Sequence, residues 1–332
     1  MDKKVVLGLS GGVDSAVAAR LLRGQGYQVQ GLFLDIGNID ARNDAIAVAD
    51  YLEIPLTVLD IGSQLEKFVC APFAEAYLRG ETPNPCILCN PAVKFKALCD
   101  LADEIGAEYI ATGHYARAEN GGLYKGKPSN DQSYMLCRIL PHQLDRLLLP
   151  LGDFEKTQVR QMAEDMTLPV ARKPDSMEIC FIADGDYAAF IERRGQIPPP
   201  GSFVDESGKV LGTHKGIHHY TVGQRRGLGI ALGQRVFVSE IRPLTNEIVL
   251  SQGDELYTGE IDVSHVNWLL PCQGSFKAAV KVRHSKVETS AAVTPVGEGA
   301  HVVFDVPVRA PTAGQSAVFY VDDRLVGGGF IV

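Results

Sequence analysis

Two stretches and one isolated residue hold the side chains that could do chemistry. In Ser10-Gly11-Gly12-Val13-Asp14-Ser15, adjacent glycines let the backbone turn tightly and approach a ligand. Ser10, Ser15 and the open N–H groups of a following helix would all point at one spot, which favours an anion such as phosphate. An ordinary strand-to-helix turn capped by Asp14 or Ser15 would use the same residues. In Thr82-Pro83-Asn84-Pro85-Cys86-Ile87-Leu88-Cys89-Asn90, two prolines hold the chain extended or turned and would display a Cys-x-x-Cys pair rigidly. A third cysteine, Cys180, stands in Ile179-Cys180-Phe181. A Cys-x-x-Cys alone serves a redox pair or half a zinc site. Zinc would want two more ligands at matching spacing, and no second Cys-x-x-Cys occurs, so structural zinc is not expected.

The elements around these residues read as an alternation. Val5-Val6-Leu7-Gly8-Leu9 is apolar and β-branched enough for a buried strand, and Ala16 to Leu22 are good helix formers, so the glycines sit between strand and helix. Strands near Val29–Leu34, Leu56–Asp60 and Tyr109–Thr112 alternate with helices near Asp40–Leu52, Gln64–Leu78 and Ala92–Ile105. That predicts an α/β, Rossmann-like parallel sheet with helices on both faces, whose ligands lie beyond the carboxyl ends of the strands. The loops after Leu9, Leu34 and Thr112 would share one crevice, with Leu34 and Gly113 in reach of a nucleoside. Helices Glu155–Met166 and Tyr187–Arg194 continue the pattern until Ile197-Pro198-Pro199-Pro200-Gly201, a boundary. Short β segments punctuated by glycine follow. The expected division is an α/β catalytic domain at 1–195, a small β-rich domain at 196–255 and a β-barrel at 256–332.

A chain of 332 residues, 45% hydrophobic and 22% charged, is too long for one typical core and reads as ordinary soluble globular protein. Met1-Asp2-Lys3-Lys4 runs straight into the first strand and no apolar stretch approaches a membrane span, so the expected location is the cytoplasm. A net charge of −8 argues against gripping nucleic acid through bulk charge, while leaving local basic faces open. Gln224-Arg225-Arg226-Gly227 and Lys281-Val282-Arg283-His284-Ser285-Lys286 are such faces, with Lys281 and Arg283 expected to point together from one strand. Seven cysteines without a secretion signal suit reactive, ligating or buried thiols better than a disulfide framework. Cys70, Cys99, Cys137 and Cys272 lack partner spacing and are expected as core or surface thiols. No Gly-Lys-Ser or Gly-Lys-Thr is present, so a Walker loop is excluded.

Ser-Gly-Gly-x-Asp-Ser resembles the pyrophosphate loop of ATP pyrophosphatases, which implies cleavage of ATP between its α- and β-phosphates. Together with Thr82–Asn90, Lys94-Phe95-Lys96, Ala111-Thr112-Gly113-His114-Tyr115-Ala116-Arg117, Asp131-Gln132-Ser133-Tyr134, Ile179-Cys180-Phe181-Ile182, His219-Tyr220-Thr221-Val222-Gly223-Gln224-Arg225-Arg226-Gly227-Leu228-Gly229 and Gly314-Gln315-Ser316, the loop resembles the tRNA-specific 2-thiouridylase family over nearly the whole chain. The resemblance implies an adenine nucleotide α-hydrolase-like domain and ATP-dependent exchange of O2 for sulfur on the wobble uridine of tRNA. Gly8, Leu9, Ser10, Gly11, Gly12, Val13, Asp14 and Ser15, with Leu34 and Gly113, would bind ATP and Mg²⁺. Cys180 would carry a persulfide from a cysteine desulfurase or sulfur-relay protein, and Cys89 would be the nucleophile that releases its sulfur, leaving a Cys89–Cys180 disulfide. Asn84, Pro85 and Cys86 would line a base flipped out of its stack. His114, Asp131, Gln132, Ser133, Arg283, His284 and Gln315 would contact tRNA.

One departure bears on the chemistry: Cys86 stands where many family members carry an aspartate cast as general acid or base. Cys86, Cys89 and Cys180 could instead hold three irons of a [4Fe–4S] cluster with an open fourth iron, and the persulfide and cluster routes both stand at this point. Two rivals differ in class. An ammonia-using ligase of the same superfamily would leave these cysteines without a task, and a nucleotide-sensing RNA-binding protein would release no pyrophosphate.

Overall fold

The computed structural model describes residues 3–175, 179–195 and 197–332. They form two compact units. The first takes the described residues of Met1–Val69, Cys86–Met177 and Tyr320–Gly327, and the second those of Cys70–Pro85, Glu178–Phe319 and Gly328–Val332.

The first unit is built on the parallel sheet that the alternation predicts. Strands β1 (Lys4–Gly8), β2 (Gln28–Asp35), β3 (Leu56–Asp60), β4 (Tyr109–Ala111) and, after the hairpin β5 (Ala116–Glu119) and β6 (Gly122–Lys125), β7 (Leu147–Leu148) lie in the order β3-β2-β1-β4-β7. Every pairing in it is parallel. The order reverses between β1 and β4, so the carboxyl ends of these two strands flank the topological switch point, where open α/β sheets bind ligands. Val5, Val6 and Leu7 are completely buried, because β1 is central and covered on both faces. Helix α1 (Val13–Gly24) presses Val13, Ala16, Val17, Ala18, Ala19 and Leu22 into the same core, and helix α2 (Ile39–Tyr51) adds Ala45, Val48 and Ala49.

Two expected helices contain wider turns. The segment expected as Gln64–Leu78 runs as Gly62–Leu65, a π turn at Glu66–Cys70 and Ala71–Leu78. The segment before Ile105 runs as a helical turn Pro85–Cys89, a π turn Asn90–Lys94 and a helix Phe95–Ile105. Pro72 and Pro91 each remove a backbone donor from the i→i−4 ladder, and the backbone widens beside them. Of the extended and turned alternatives for the Cys86 and Cys89 stretch, the turned one is realised, as a helical turn. The β5–β6 hairpin turns through Asn120 and Gly121, both at positive φ (50° and 68°), as a two-residue connection matching the strand twist requires.

The second unit holds the β-rich text. Strands β8 (Gly201–Val204), β9 (Val210–His214), β10 (Phe237–Arg242) and β11 (Glu247–Ser251) form a sheet in the order β10-β11-β8-β9 around Phe203, Tyr220, Val238, Ile248 and Leu250. Strands β12 (Tyr257–Trp268), β13 (Phe276–Lys281), β14 (Thr289–Val296), β15 (Gly299–Arg309), β16 (Ser316–Val321) and β17 (Arg324–Ile331), of which Tyr320–Gly327 count with the first unit, follow the order β12-β15-β14-β13-β16-β17, which continues into the β6–β5 hairpin, and β12 also pairs with β17. That pairing closes the expected barrel and removes its edges. The helices Ala71–Leu78 and Tyr187–Glu192 join this unit through an aromatic cluster: Phe73 against Phe181 at 5.6 Å between ring centroids and Tyr77 stacked on Tyr187 at 4.7 Å. No helix among the described residues is long and apolar enough to cross a membrane.

Candidate active site

The glycine loop leaves β1 at the switch point. Gly11 has φ +71°, and a Cβ there would lie 2.3 Å from the Ala41 carbonyl oxygen, so only glycine lets the loop pack against α2. Gly12 is the N-cap of α1 and supplies no side chain, so the cap by Asp14 or Ser15 is not formed. Ser15 turns inward: its Oγ accepts the Ser10 N–H at 3.1 Å and donates to the Gly12 carbonyl at 3.1 Å. Ser15 thus shapes the loop, and the N–H groups at the start of a twelve-residue helix remain without a side-chain cap. Gly113, beyond β4, comes so close that a Cβ there would be 3.0 Å from the Asp14 carbonyl carbon and the Ser15 nitrogen. The expected meeting of the β1 and β4 loops is realised. Leu34 sits half-buried near the end of β2, next to buried Asp35, which pairs with Arg42 and accepts the Gly37 N–H at 2.8 Å.

Asp14 is the centre of a polar network that the sequence reading did not contain. Lys156 Nζ donates to its Oδ1 and Oδ2 at 2.6 and 2.7 Å, and the Tyr115 hydroxyl donates to Oδ1 at 2.6 Å. Lys156 also bridges to Asp175 at 2.9 Å, which Arg160 reaches at 2.7 Å. Burial would raise the Asp175 carboxyl, but hydrogen bonds from Lys156 and Arg160 outweigh it and hold the group below the usual carboxylate range. Burial and the Asp14 carboxylate push the Tyr115 phenol far above its ordinary value, so it stays protonated and donating. Lys173 closes the other side, donating to the Gly11 carbonyl at 2.9 Å and pairing with Asp44. Lys156 and Arg160 lie i, i+4 on the helix Lys156–Asp165, so that both reach Asp175 from one face.

The residues expected to touch RNA divide by burial. Gln132 clamps the backbone of Tyr115, accepting its N–H at 3.0 Å and donating its own N–H to the Tyr115 carbonyl at 2.8 Å. Asp131 accepts the N–H groups of Gly126 and Ser133, both at 3.0 Å. Ser133 is completely buried with its hydroxyl 3.0 Å from that of Tyr320, so its side chain presents no surface to RNA. This trio braces the loop that carries His114. The His114 ring lies over buried Phe95 at 6.2 Å between centroids, and its Nδ1 is 2.8 Å from the Thr112 hydroxyl. Burial, helped by Lys94, lowers its pKa well below the usual imidazole value, so it meets a ligand as a neutral ring. The unfolded chain takes up a proton near pH ~6.5 that the folded ring refuses. Stability is therefore fully present above that pH and lost as the pH falls below it. We expect the urea midpoint to drop between about pH 7.5 and about pH 5.5, and His114→Asn to drop less; equal drops would remove this assignment.

The cysteines sort by burial. Cys70, Cys99 and Cys137 are buried, as core thiols should be, and burial pushes the Cys99 thiol up. Half-buried Cys272 is pushed up in the same way. Cys86 is exposed and Cys89 half-buried, one helical turn apart in the first unit. Asn90, next to them, is anchored by donating to the Met135 carbonyl at 2.8 Å, and Gln143 donates to the Pro91 carbonyl at 2.9 Å. In the second unit Cys180 is exposed on a turn closed by Ile182 N–H to the Ile179 carbonyl at 2.8 Å, with Phe181 and Ile182 driven into the aromatic cluster beneath it.

Thr82, which precedes Asn84 and Pro85, is held from the second unit's own β text. Gln315 Nε2 donates to the Thr82 carbonyl at 2.7 Å, Thr82 N–H donates to the Ala313 carbonyl at 2.8 Å, and Gly314, at φ +86°, leaves no room for a Cβ, which would lie 2.9 Å from Glu81. Gln315 therefore positions the segment that precedes Cys86. Of the basic faces, Arg225, Arg226, His284 and Lys286 are exposed. Lys281 is not: it is 7% exposed at the end of β13, and Arg283, beyond the strand, turns its guanidinium to the Arg309 and Ala310 carbonyls. The two do not share a face because the strand ends between them.

Comparison with known proteins accounts for the whole chain. Residues 3–184 match a family described as tRNA methyl transferase HUP domain, residues 188–252 the corresponding PRC-barrel domain, and residues 258–331 an aminomethyltransferase beta-barrel domain. The chain is 44% identical to the tRNA-specific 2-thiouridylase MnmA of Carboxydothermus hydrogenoformans, covering 99% of this chain and 97% of that protein. It is 43% identical to the tRNA-specific 2-thiouridylase MnmA 1 of Clostridium tetani over 100% of this chain and 97% of that one. With the namesake from Acetivibrio thermocellus it shares 44% identity over 99% of both.

Proposed function

The chain belongs to the tRNA-specific 2-thiouridylase family, and we propose that it uses ATP to replace O2 of the wobble uridine of tRNA with sulfur, releasing AMP and pyrophosphate. The observation that carries this reading is the sorting of the thiols. Three cysteines lie buried and Cys272 is half-buried without a partner spacing, while Cys86, Cys89 and Cys180 reach solvent from short turns anchored by buried neighbours. A methyl transfer, which the family descriptions also name, would give these thiols no task.

The uridine C2 carbonyl is a poor electrophile because its oxygen leaves poorly, and adenylating that oxygen makes AMP the leaving group. The uncapped N-terminus of α1 and the glycine loop would bind the phosphates. Asp14 is 30% exposed at its side chain and would hold Mg²⁺, which when bound supplies charge neutralisation at the phosphates. Lys156, released from Asp14, then pairs with a phosphate oxygen. Sulfur arrives as a persulfide on Cys180. The Cys89 thiolate attacks the Cys180 sulfur, forming the Cys89–Cys180 disulfide and expelling hydrosulfide, which adds at C2 as AMP departs; an external dithiol then reduces the disulfide. The alternative route is a [4Fe–4S] cluster for which Cys86, Cys89 and Cys180 would be the ligands and which would supply an open iron for sulfide. Neutral His114, with Asn84, Pro85 and Cys86, would line the flipped uridine, and Arg225, Arg226, Arg283, His284 and Gln315 would meet or support the tRNA. The three domains at 1–195, 196–255 and 256–332 would divide catalysis from RNA binding, in the cytoplasm.

The reading is tested by incubating unmodified tRNA with protein purified without oxygen, ATP, and either sulfide or a cysteine desulfurase with cysteine. We expect 2-thiouridine by mass spectrometry with equal AMP and pyrophosphate, and iron content separates the two sulfur routes. No thiolated nucleoside under either condition would overturn the proposal.

A further inference from the structure

Ligand spacing does occur in the chain outside the cysteines: His214 and His218 are four residues apart, and His219 follows. The structure separates them. His214 is spent on the fold, its Nδ1 accepting the Gly216 N–H at 3.1 Å and its Nε2 lying 3.1 Å from the Asn246 carbonyl oxygen. His218 and His219, on the 3₁₀ turn Ile217–His219, instead turn their Nε2 atoms to one carboxylate oxygen, Glu192 Oε1, at 3.2 and 3.1 Å. One donor atom from each of the three residues lies within 4.8 Å of the others.

We propose that Glu192, His218 and His219 form a divalent metal site of the zinc type, with water as the fourth ligand. In a tetrahedral site with bonds of about 2.0–2.1 Å, neighbouring ligand atoms stand about 3.3 Å apart. Two edges of the triangle already have that length to within a few tenths of an ångström. The third has to close by at most about 1.5 Å. The pocket is built around the rings. Gly216 has φ +140°, and a Cβ there would lie 2.6 Å from His218 Cε1, so the glycine makes room for the imidazole. The His218 side chain is fully buried with its Nε2 toward the carboxylate, while its Nδ1, on the other side of the ring from the site, has no hydrogen-bond partner. His219 and Glu192 keep 26% and 35% of their side-chain surface open, which leaves an entry path and room for water.

The location gives the site a task. Glu192 ends the helix Tyr187–Glu192, whose Ile191 and Phe190 share the aromatic cluster with Phe181, the neighbour of Cys180. A bound ion would tie that helix to the Ile217–His219 turn inside the second unit and steady the segment that presents Cys180.

The test titrates cobalt(II) into full-length protein stripped with a chelator. We expect one equivalent to bind with the visible bands of a four-coordinate nitrogen and oxygen site, displaced by zinc, and zinc to raise the melting temperature. Glu192→Gln and His219→Asn, at partly exposed positions, should each weaken binding more than about tenfold, while Cys86→Ser, Cys89→Ser and Cys180→Ser together should leave it unchanged. X-ray absorption at the zinc edge of the wild-type protein should find two imidazoles and no sulfur, a readout that stands even if a variant fails to fold. Binding that survives both ligand substitutions, a sulfur-to-cobalt band that disappears with the cysteines, or no binding at all would overturn the site.

Discussion

Cys89→Ser should abolish 2-thiouridine formation, lowering the single-turnover rate by about 10⁴-fold or more, while tRNA binding stays within about twofold of wild type. Serine keeps the volume and the helical turn Pro85–Cys89 but replaces a soft thiolate with a hydroxyl that neither attacks a persulfide nor ligates iron. Cys180→Ser should do the same for a different reason, since it removes the sulfur carrier from an exposed turn whose packing rests on Phe181 and Ile182. Cys86→Ser separates the routes. It should cost little if sulfur passes from Cys180 to Cys89, and as much as Cys89→Ser if three thiolates hold a cluster. Thiolation retained in Cys89→Ser or Cys180→Ser would remove both routes at once.

Asp14→Ala should lower kcat/KM for AMP formation about 100-fold or more, equivalent to about 2.7 kcal/mol of transition-state stabilisation. The loss has two parts. The carboxylate that would hold Mg²⁺ is gone, and Lys156 and the Tyr115 hydroxyl lose the acceptor that both reach within 2.7 Å. Asp14→Asn restores an acceptor without the charge. If charge is what matters, its activity should lie near that of the alanine variant while its melting temperature returns toward wild type. Full AMP release in Asp14→Ala would show that the glycine loop is a structural turn.

The parts of this fold that were legible in the sequence are those whose physics is local. A β-branched run, two glycines and a run of helix formers announce β1, the loop and α1 within about twenty consecutive residues, and repeated alternation announces the parallel sheet. The Asp14 network was not legible because Tyr115, Lys156 and Asp175 reach it from other elements, and a lysine at the start of a helix looks like any solvated charge. Ser133 was expected from the resemblance to contact tRNA, yet its hydroxyl lies against that of Tyr320 far along the chain. Gly314 and Gln315 read as a motif of their own, when their side-by-side task is to hold Thr82. For Cys86 and Cys89 the prolines before them left an extended and a turned display both open. Pro85, at the first position of the helical turn Pro85–Cys89, is where proline favours a helix instead.

The claim that everything else depends on is that AMP leaves carrying the uridine's own oxygen. The direct measurement uses an anticodon stem-loop or tRNA whose wobble uridine bears ¹⁸O at C2, turned over once with ATP and a sulfur source, with the AMP phosphate read by mass spectrometry. We expect the heavy oxygen in AMP in equal amount to the 2-thiouridine formed. Thiolated product accompanied by unlabelled AMP would contradict the account, because ATP would then be cleaved without activating the base.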